Sequence, residues 1–390
     1  MGPGFRRDDG KGTFRPDRPR RTALMTRIYL KPTAFVESPI GLDGQVERLA
    51  GGLLWFAGYE LIRTEGGRRV AQAFVPVERI DTAIAALPDA LAEAATALRA
   101  RITAPRAAIR LGERVIRFDQ PQLMAILNMT PDSFSDGGRH LDDAAAAAEA
   151  GVGMAAEGAA IIDVGGESTR PGAPTIWEGD EIARTIPVIE KLAGAGTAVS
   201  IDTRKAAVMA AALAAGAAMI NDVSALLYDD RAAEIVARAG CPVALMHFPG
   251  TPQNPHGNSS YGDALIEVYD WLEARVAAVV AAGIARDRII VDPGIGFGKG
   301  VQDNLAILNG LAMFHGLGCP LLLGASRKRL IGALANEAPA DKRLGGSVTL
   351  ALKGAALGAQ LLRVHDVQET HQALRVWRGM TDAGLMGHRG

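Results

Sequence analysis

The chain has 390 residues, of which 48% are hydrophobic and 22% are charged, and this composition is sufficient to bury a large core. Its 42 basic and 43 acidic residues give a formal net charge of -1, which argues against nucleic acid or an anionic membrane as a partner. Two cysteines exclude a disulfide framework, and the apolar runs are too short for a membrane span or a secretory signal, so we expect a cytoplasmic protein.

The first 122 residues are predicted to form two parts that precede the main domain. Residues 1–26 are basic and rich in Gly and Pro, which predicts a disordered tail, and Met1 and Met25 both remain open as the true start. Residues 27–122 are predicted to form a small α+β accessory region whose role the pattern leaves open. Its predicted elements are strands at Ile28–Leu30 and Leu53–Phe56, a helix from Ile80 to about Arg101, and a hairpin over Ala108–Phe118.

From residue 123 to about residue 380, short apolar runs alternate with Ala-rich helical stretches such as Leu141–Ala156, Lys205–Ala215 and Ala264–Ala282. This alternation is typical of parallel strands joined by right-handed crossovers. Eight such units predict a (β/α)₈ TIM barrel over residues 123–380, with a doubly wound open sheet as the alternative. The predicted strands are Met124–Leu127, Ala160–Val164, Ala198–Ile201, Ala218–Ile220, Pro242–Met246, Ile289–Val291, Leu321–Leu323 and Leu361–Val364.

Polar residues follow each predicted strand at its carboxyl end. In a parallel barrel these ends share one rim, where barrel enzymes place their active sites. Taken singly, Asp202 can cap a helix and His247 can be a core histidine. Eight polar ends on one rim are harder to explain without function, because burying polar groups is costly. The ends are Asn128, Asp163, Asp202, Asn221, His247, Asp292, Ser326–Lys328, and Arg363 with His365.

These strand ends indicate two kinds of chemistry. Asp202, Asn221 and Asp292 supply acceptors and donors that suit a flat nitrogen heterocycle with a guanidine-like edge. Lys328, Arg363 and His365 supply positive charge near strands seven and eight, where barrels usually bind phosphate. The sequence therefore predicts a ligand that joins a nitrogen heterocycle to a phosphate.

Seven motifs of the predicted barrel resemble those of the dihydropteroate synthase family, in the same order along the chain. They are Ile126–Phe134 with Asp136–Gly138, Asp163–Gly172, Asp202–Thr203, Ile220–Asp222, Asp292–Gly298, Ser326–Lys328 and Arg363–Asp366. The resemblance implies a pterin-binding barrel that condenses 7,8-dihydropterin-6-ylmethyl pyrophosphate with 4-aminobenzoate in folate biosynthesis, with Mg²⁺ as the cofactor. It also implies dissociative loss of pyrophosphate before the arylamine attacks, and a homodimer as the assembly.

The resemblance further implies a role for each matching residue of this chain. The implied catalytic residues are Asp132, Lys328 and Arg170. The implied pterin-binding residues are Asp202, Asn221, Asp292 and Lys328. The implied pyrophosphate-binding residues are Asn128, Arg363 and His365, and Asn128 is also the implied metal ligand. The implied 4-aminobenzoate pocket consists of Ser168, Thr169, Arg170, Pro171, Phe297 and Ser326.

The segment after His247 departs from the family pattern. The family usually has a Met-rich, Gln-containing segment here. In Phe248–His256 of this chain, Gly250 and Pro252 fit the family pattern, but other residues replace the Met and Gln of that pattern. We therefore expect pterin packing near strand five to differ. The intact Ser168–Gly172 segment gives no sign of a pocket that excludes sulfonamides.

Two other functions remain open at this point. One is a methyltetrahydrofolate-dependent methyltransferase, which shares a pterin-binding barrel but has no need of a pyrophosphate pocket. The other is a catalytically silent barrel that serves as a scaffold or binding module, because a fold does not guarantee activity.

Overall fold

The structure is a computed structural model that describes residues 25–129, 143–170, 172–257 and 260–387. The predicted tail lies outside the described residues except for its last two positions, and so do Asp132 and Pro171 of the predicted site. Within the described part of the chain, no helix is long and apolar enough to cross a membrane.

The accessory region is a four-stranded antiparallel sheet with two helices. Its elements are β1 (Thr26–Val36), β2 (Glu47–Arg48), β3 (Trp55–Glu65), β4 (Arg68–Pro76), a 3₁₀ turn (Val77–Arg79), α1 (Ile80–Ala85) and α2 (Asp89–Thr103). Strand β3 lies at the centre of the sheet, with β1 along one side and β2 and β4 along the other.

Three predictions for this region are wrong in detail. Strand β4 is missed because its first seven residues are all exposed and carry no alternating apolar pattern. The single helix predicted over residues 80–101 is two helices, because Pro88 cannot donate a backbone hydrogen bond and its ring clashes with a preceding turn. The second predicted strand begins at Trp55 rather than Leu53 and extends nine residues past Phe56, to Glu65.

The predicted hairpin is confirmed as β5 (Ile109–Leu111) and β6 (Arg114–Ile116). Gly112 opens its turn at φ +60°, a left-handed conformation that favours glycine. The apolar side chains of the hairpin, with Phe118 just after it, pack against residues from all eight barrel strands near their amino ends. The hairpin therefore closes the bottom of the barrel.

The barrel has eight parallel strands in a closed order, which confirms the predicted fold class. The strands are β7 (Gln122–Asn128), β8 (Ala159–Gly165), β9 (Val199–Asp202), β10 (Met219–Asp222), β11 (Val243–Met246), β12 (Ile289–Asp292), β13 (Leu322–Leu323) and β14 (Leu361–Val364). Their order in the sheet is β12-β11-β10-β9-β8-β7-β14-β13, and a bridge between Val291 and Leu321 joins the two edges.

Helices surround the barrel on its outer side. They are α3 (Ala144–Ala156), α4 (Glu178–Gly194), α5 (Ala206–Ala214), α6 (Ala232–Ala239), α7 (Ala264–Ala281), α8 (Val301–Asn309), α9 (Arg329–Leu334), α10 (Leu344–Ala356) and α11 (Val367–Met386). Three 3₁₀ turns lie at Arg286–Arg288, Leu311–Leu317 and Ala340–Lys342. Helix α11 extends six residues beyond the predicted end of the barrel.

The accessory region packs on the barrel through a shared apolar core. Strand β1 and helix α2 contact the 3₁₀ turn Leu311–Leu317, and one cluster of buried side chains runs through both parts. Tyr29 packs edge-on against Tyr269 of α7, and its hydroxyl donates to Asp270 at 2.8 Å. The accessory region is therefore an integral part of the packed structure, although its function stays open.

Candidate active site

On the inner face of four strands, the side chains change from apolar to polar over one step of two residues. Side chains two residues apart lie on the same side of a strand. The apolar and polar residues of each step are Ile161 and Asp163, Met219 and Asn221, Ile290 and Asp292, and Leu361 and Arg363. The polar layer lies at the carboxyl ends of the strands, which is the rim where barrel enzymes bind their substrates.

Arg363 links the acidic side chains of this layer. Its Nε donates to Oδ2 of Asp163 and its Nη2 donates to Oδ2 of Asp202, both at 2.7 Å. Asn221 donates from Nδ2 to the same oxygen of Asp163 at 2.9 Å. Burial raises the pKa of Asp202, and Arg363 opposes this rise. The predicted heterocycle group and the predicted cationic group therefore form one interleaved network.

Asp163 is the central acceptor of this network, and sequence reasoning did not select it as a site residue. Its side chain is fully buried and accepts from strands β10 and β14 at once. The sequence shows only that it ends a strand. Its two partners lie 58 and 200 residues away, so the strand register is needed to bring them together.

Asp292 and Lys328 lie beside the network. Oδ1 of Asp292 accepts from the backbone N–H of Gly294 at 2.7 Å. A Cβ added to Gly324 would lie 3.6 Å from Oδ2 of Asp292 and 3.9 Å from Cβ of Arg363, so this glycine lets the two strands present those groups close together. Burial raises the pKa of Asp292 to about 6. Burial lowers the pKa of Lys328 to about 8, with Arg363 acting in the same direction.

His365 contacts Ser326 at the mouth of the barrel, and its surroundings favour the neutral imidazole. Burial lowers its pKa to about 3, and the nearby Arg363 acts in the same direction. Its Nδ1 lies 3.0 Å from Oγ of Ser326, which also accepts from the backbone N–H of His365 at 3.3 Å. Its predicted contact with the pyrophosphate therefore stays a prediction, with Ser326 holding Nδ1 of the ring.

Lys299 is a further residue that sequence reasoning missed. Its Nζ donates to the backbone oxygens of Gly294 at 2.8 Å and Phe297 at 3.3 Å. Burial lowers its pKa to about 7. The sequence offered a signal, since Lys299 ends the Gly-rich run that follows β12. Here the lysine holds the turn that carries Phe297.

Phe297 lies between several predicted site residues. Nζ of Lys328 lies 4.2 Å from the centre of its ring. The ring of His256 stacks on it with centroids 4.6 Å apart and planes 13° from parallel. Nε2 of His256 lies 2.6 Å from the backbone oxygen of Thr169, which places the predicted 4-aminobenzoate loop beside Phe297.

A buried ion network supports the start of that loop. Glu167 accepts from Nε of Arg204 at 3.0 Å and from Nζ of Lys205 at 3.1 Å, and Lys205 also donates to Glu181 at 2.6 Å. Burial would raise the pKa of Glu167, but Arg204 and Lys205 outweigh it and lower the pKa. The network fixes the backbone immediately before Ser168, from which Ser168, Thr169 and Arg170 extend.

Asn128 is the described residue that matches the predicted metal position. It ends β7 beside Gly165, where an added Cβ would lie 3.4 Å from Oδ1 of Asn128. No group of three or more His, Cys, Asp or Glu among the described residues could hold a metal ion. Mg²⁺ commonly binds through one or two protein oxygens together with substrate phosphates and water. The residues therefore fit an ion that arrives with a diphosphate, with Asn128 as one protein ligand.

The rim thus combines acceptors for a heterocycle with a partly buried guanidinium and a partly buried lysine, which defines a site for a nitrogen heterocycle bearing an anion. Residues 124–365 match the family model described as "Pterin binding enzyme". The match covers more than half of the chain and begins at the barrel, so the accessory region lies outside it.

Curated relatives and solved structures identify the family more closely. The dihydropteroate synthase of Neisseria meningitidis serogroup B is 46% identical over 274 residues, which are 69% of this chain and 96% of that protein. The dihydropteroate synthase of Escherichia coli K12 is 44% identical, over 66% of this chain and 90% of that protein. The structure of Xanthomonas albilineans dihydropteroate synthase with 4-aminobenzoic acid has a TM-score of 0.66 and 46% identity, and the alignment covers 71% of this chain and 98% of that one. The chain belongs to the dihydropteroate synthase family of transferases.

Proposed function

We propose that the rim site of this chain joins 7,8-dihydropterin-6-ylmethyl pyrophosphate to 4-aminobenzoate and releases pyrophosphate. Family membership supports this reaction, and the observation that carries it is the network in which Arg363 lies between Asp163 and Asp202 with Lys328 close by. A site for a neutral heterocycle alone would have no use for two partly buried cations in this layer.

The pterin is proposed to bind through oxygens that the network leaves free. Asp202 uses Oδ2 for Arg363, Asn221 uses its amide nitrogen for Asp163, and Asp292 uses Oδ1 for Gly294. Oδ1 of Asp202, Oδ1 of Asn221 and Oδ2 of Asp292 remain, and no hydrogen bond to them is made by the described residues. Three such oxygens match the N–H groups along the guanidine-like edge of a pterin.

The diphosphate is proposed to bind beside Lys328, Arg363 and His365. In the first step the bond between the pterin methylene carbon and the diphosphate oxygen breaks, and the electron pair goes to that oxygen. Lys328 and Arg363 stabilise the negative charge that develops there. Mg²⁺, when bound with the diphosphate, would neutralise further charge on it, with Asn128 as a protein ligand.

The arylamine is proposed to bind between the Ser168–Arg170 segment and Phe297 with Ser326. Its nitrogen lone pair forms the new bond to the methylene carbon, and the nitrogen then loses a proton. Asp202 and Asp292 lie where they can stabilise positive charge on the pterin between the two steps. Pro171 is proposed to act together with Arg170, and Asp132 is proposed to act from the other loop, after β7. Both residues lie outside the described part of the chain.

The assembly is proposed to be a homodimer formed through the outer barrel helices. Helix α11 packs against α10 and exposes Val376 and Met380, which lie one turn apart at 61% and 65% exposure. A cytoplasmic location is proposed as well, because Cys241 and Cys319 are buried free thiols. Light scattering after size-exclusion chromatography would test the dimer: a monomeric mass at micromolar concentration would contradict it.

A turnover assay tests the proposed reaction. Purified protein, Mg²⁺, the pterin pyrophosphate and 4-aminobenzoate should yield dihydropteroate and pyrophosphate in equal amounts. The variant Asp202→Ala should keep its circular dichroism spectrum and lose pterin affinity. Folded wild-type protein that forms no dihydropteroate would reject the proposal and leave a silent binding module, and a cobalamin-dependent methyl transfer would favour the methyltransferase instead.

A further inference from the structure

The loop after strand β11 has an unusual sequence in this chain and contacts other segments of the rim. Residues 248–257, which we call the strand-five loop, depart from the pattern of the family that the barrel resembles. The loop ends in His256, which contacts two other segments of the rim. It thus brings an imidazole to the rim between two predicted walls of the arylamine pocket.

His256 joins the two walls of the proposed arylamine pocket. Its Nε2 lies 2.6 Å from the backbone oxygen of Thr169, and because a carbonyl oxygen only accepts, Nε2 must carry a hydrogen. Its ring stacks on Phe297 at 4.6 Å. One side chain therefore fixes the spacing between the loop after β8 and the turn after β12.

The surroundings of His256 favour the neutral form of the imidazole. Burial lowers the pKa of His256, Lys328 and Lys299 act in the same direction, and the hydrogen bond to Thr169 opposes them. A neutral ring donates one hydrogen bond and stacks on an aromatic face without adding charge beside the two lysines.

The rest of the strand-five loop is held independently of His256. Nη1 of Arg204 donates to the backbone oxygens of Pro252 at 3.0 Å and Gln253 at 3.4 Å. Thr251 and Asn254 also close a turn through two backbone hydrogen bonds of 3.2 Å and 2.9 Å. Removal of the imidazole should therefore leave the course of the loop intact, and its effect should be confined to Thr169 and Phe297.

We propose that His256 is a positioning residue that sets the width of the 4-aminobenzoate pocket by tying Thr169 to Phe297. This inference rests on the proposed function, since it assigns those two residues to the arylamine pocket. The imidazole acts through them and does not touch the pterin site, so it affects the second substrate and not the first.

Three substitutions separate the two contacts of His256. His256→Ala removes both, His256→Gln keeps a hydrogen-bond donor without the ring, and His256→Phe keeps a ring without the donor. His256→Ala should raise the Michaelis constant for 4-aminobenzoate about tenfold, which is about 1.4 kcal/mol. In each of the other two variants one contact remains, so the Michaelis constant for 4-aminobenzoate should be only about threefold above wild type.

The pterin pyrophosphate supplies an internal control, because its Michaelis constant should stay within about twofold in all three variants. His371→Ala is the matched control at another partly buried histidine, beside Gly158 at the amino ends of the strands, and it should change neither constant. Thermal unfolding of each variant should follow wild type.

Each result bears on the inference in a defined way. An unchanged constant for 4-aminobenzoate in His256→Ala, with normal wild-type turnover, would overturn the role of His256 and leave the proposed function standing. Equal increases in both Michaelis constants, with a lower unfolding temperature, would show a merely structural role and would also overturn it. Wild-type protein without turnover would remove the proposed function and this inference with it.

Discussion

Replacement of Asp163 by Asn tests the network on which the proposed site depends. The change keeps the size of the side chain and removes its charge. In the wild type, one oxygen of Asp163 accepts from both Asn221 and Arg363, at 2.9 and 2.7 Å. In the variant these two hydrogen bonds are made to a neutral amide oxygen, while Arg363 keeps its bond to Asp202.

The expected loss follows from the strength of these bonds. Hydrogen bonds to an ionised partner contribute about 1.5–3 kcal/mol each, against about 1 kcal/mol for neutral pairs. Loss of the charge from two such bonds therefore costs about 2 kcal/mol in the positioning of Asn221 and Arg363, or about 30-fold in binding. We expect the Michaelis constant for the pterin pyrophosphate to rise by about this factor, whereas the constant for 4-aminobenzoate changes little.

Ser200→Ala is the matched control. Ser200 is fully buried on β9, pairs in register with Asp163, and its hydroxyl has no hydrogen-bond partner among the described residues. Its removal should leave both constants within about twofold of wild type. Steady-state kinetics with each substrate varied in turn gives both values. An Asp163→Asn enzyme with an unchanged constant for the pterin pyrophosphate would refute the reasoning.

Three further predictions follow from the same geometry. Arg170→Ala should raise the Michaelis constant for 4-aminobenzoate and spare that for the pterin pyrophosphate, and an unchanged arylamine constant would show that the loop assignment is wrong. Because the pKa of Lys328 is lowered to about 8, its charge is present below that pH and lost above it. The Michaelis constant for the pterin pyrophosphate should therefore rise as the pH increases through about 8. If a Lys328→Met enzyme showed the same rise, the pH dependence would belong to another group. Deletion of residues 25–122 removes four buried side chains that close the barrel. Burial of each contributes about 1.5–3 kcal/mol to the free energy of unfolding, and their sum is comparable with the stability of a whole domain. A truncated chain with an unchanged unfolding temperature would contradict that role of the hairpin.

The barrel and its rim could be predicted from the sequence because their signal is local. Buried parallel strands appear as short apolar runs, and the residue that ends each run marks the rim. Asp202, Asn221 and Asp292 were selected on this basis, and the structure places all three in the polar layer. The edge strand β4 was missed for the converse reason, since an exposed strand carries no such run.

Other parts of the site depend on contacts that no local pattern records. Asp163 takes its importance from partners on two other strands, and the lowered pKa of His365 follows from burial. Lys299 and His256 lie in loops, where neither a period of two nor one of 3.6 applies. The arylamine pocket could therefore be assigned only through the family resemblance, whereas the heterocycle and anion groups also followed from the strand ends.

The closed bottom of the barrel explains why the pKa values of Asp292 and Lys328 lie close to each other. The hairpin and Phe118 fill the amino ends of the strands, so water reaches the polar layer from the mouth alone. Burial then disfavours charge on Asp292 and Lys328, which raises the pKa of Asp292 to about 6 and lowers that of Lys328 to about 8. A carboxyl group and an amine that differ by more than six units in water are thereby brought to within about two units of each other. A bound pterin with its diphosphate would complete the enclosure, so the proposed dissociative step would take place among groups whose charges are little screened by water.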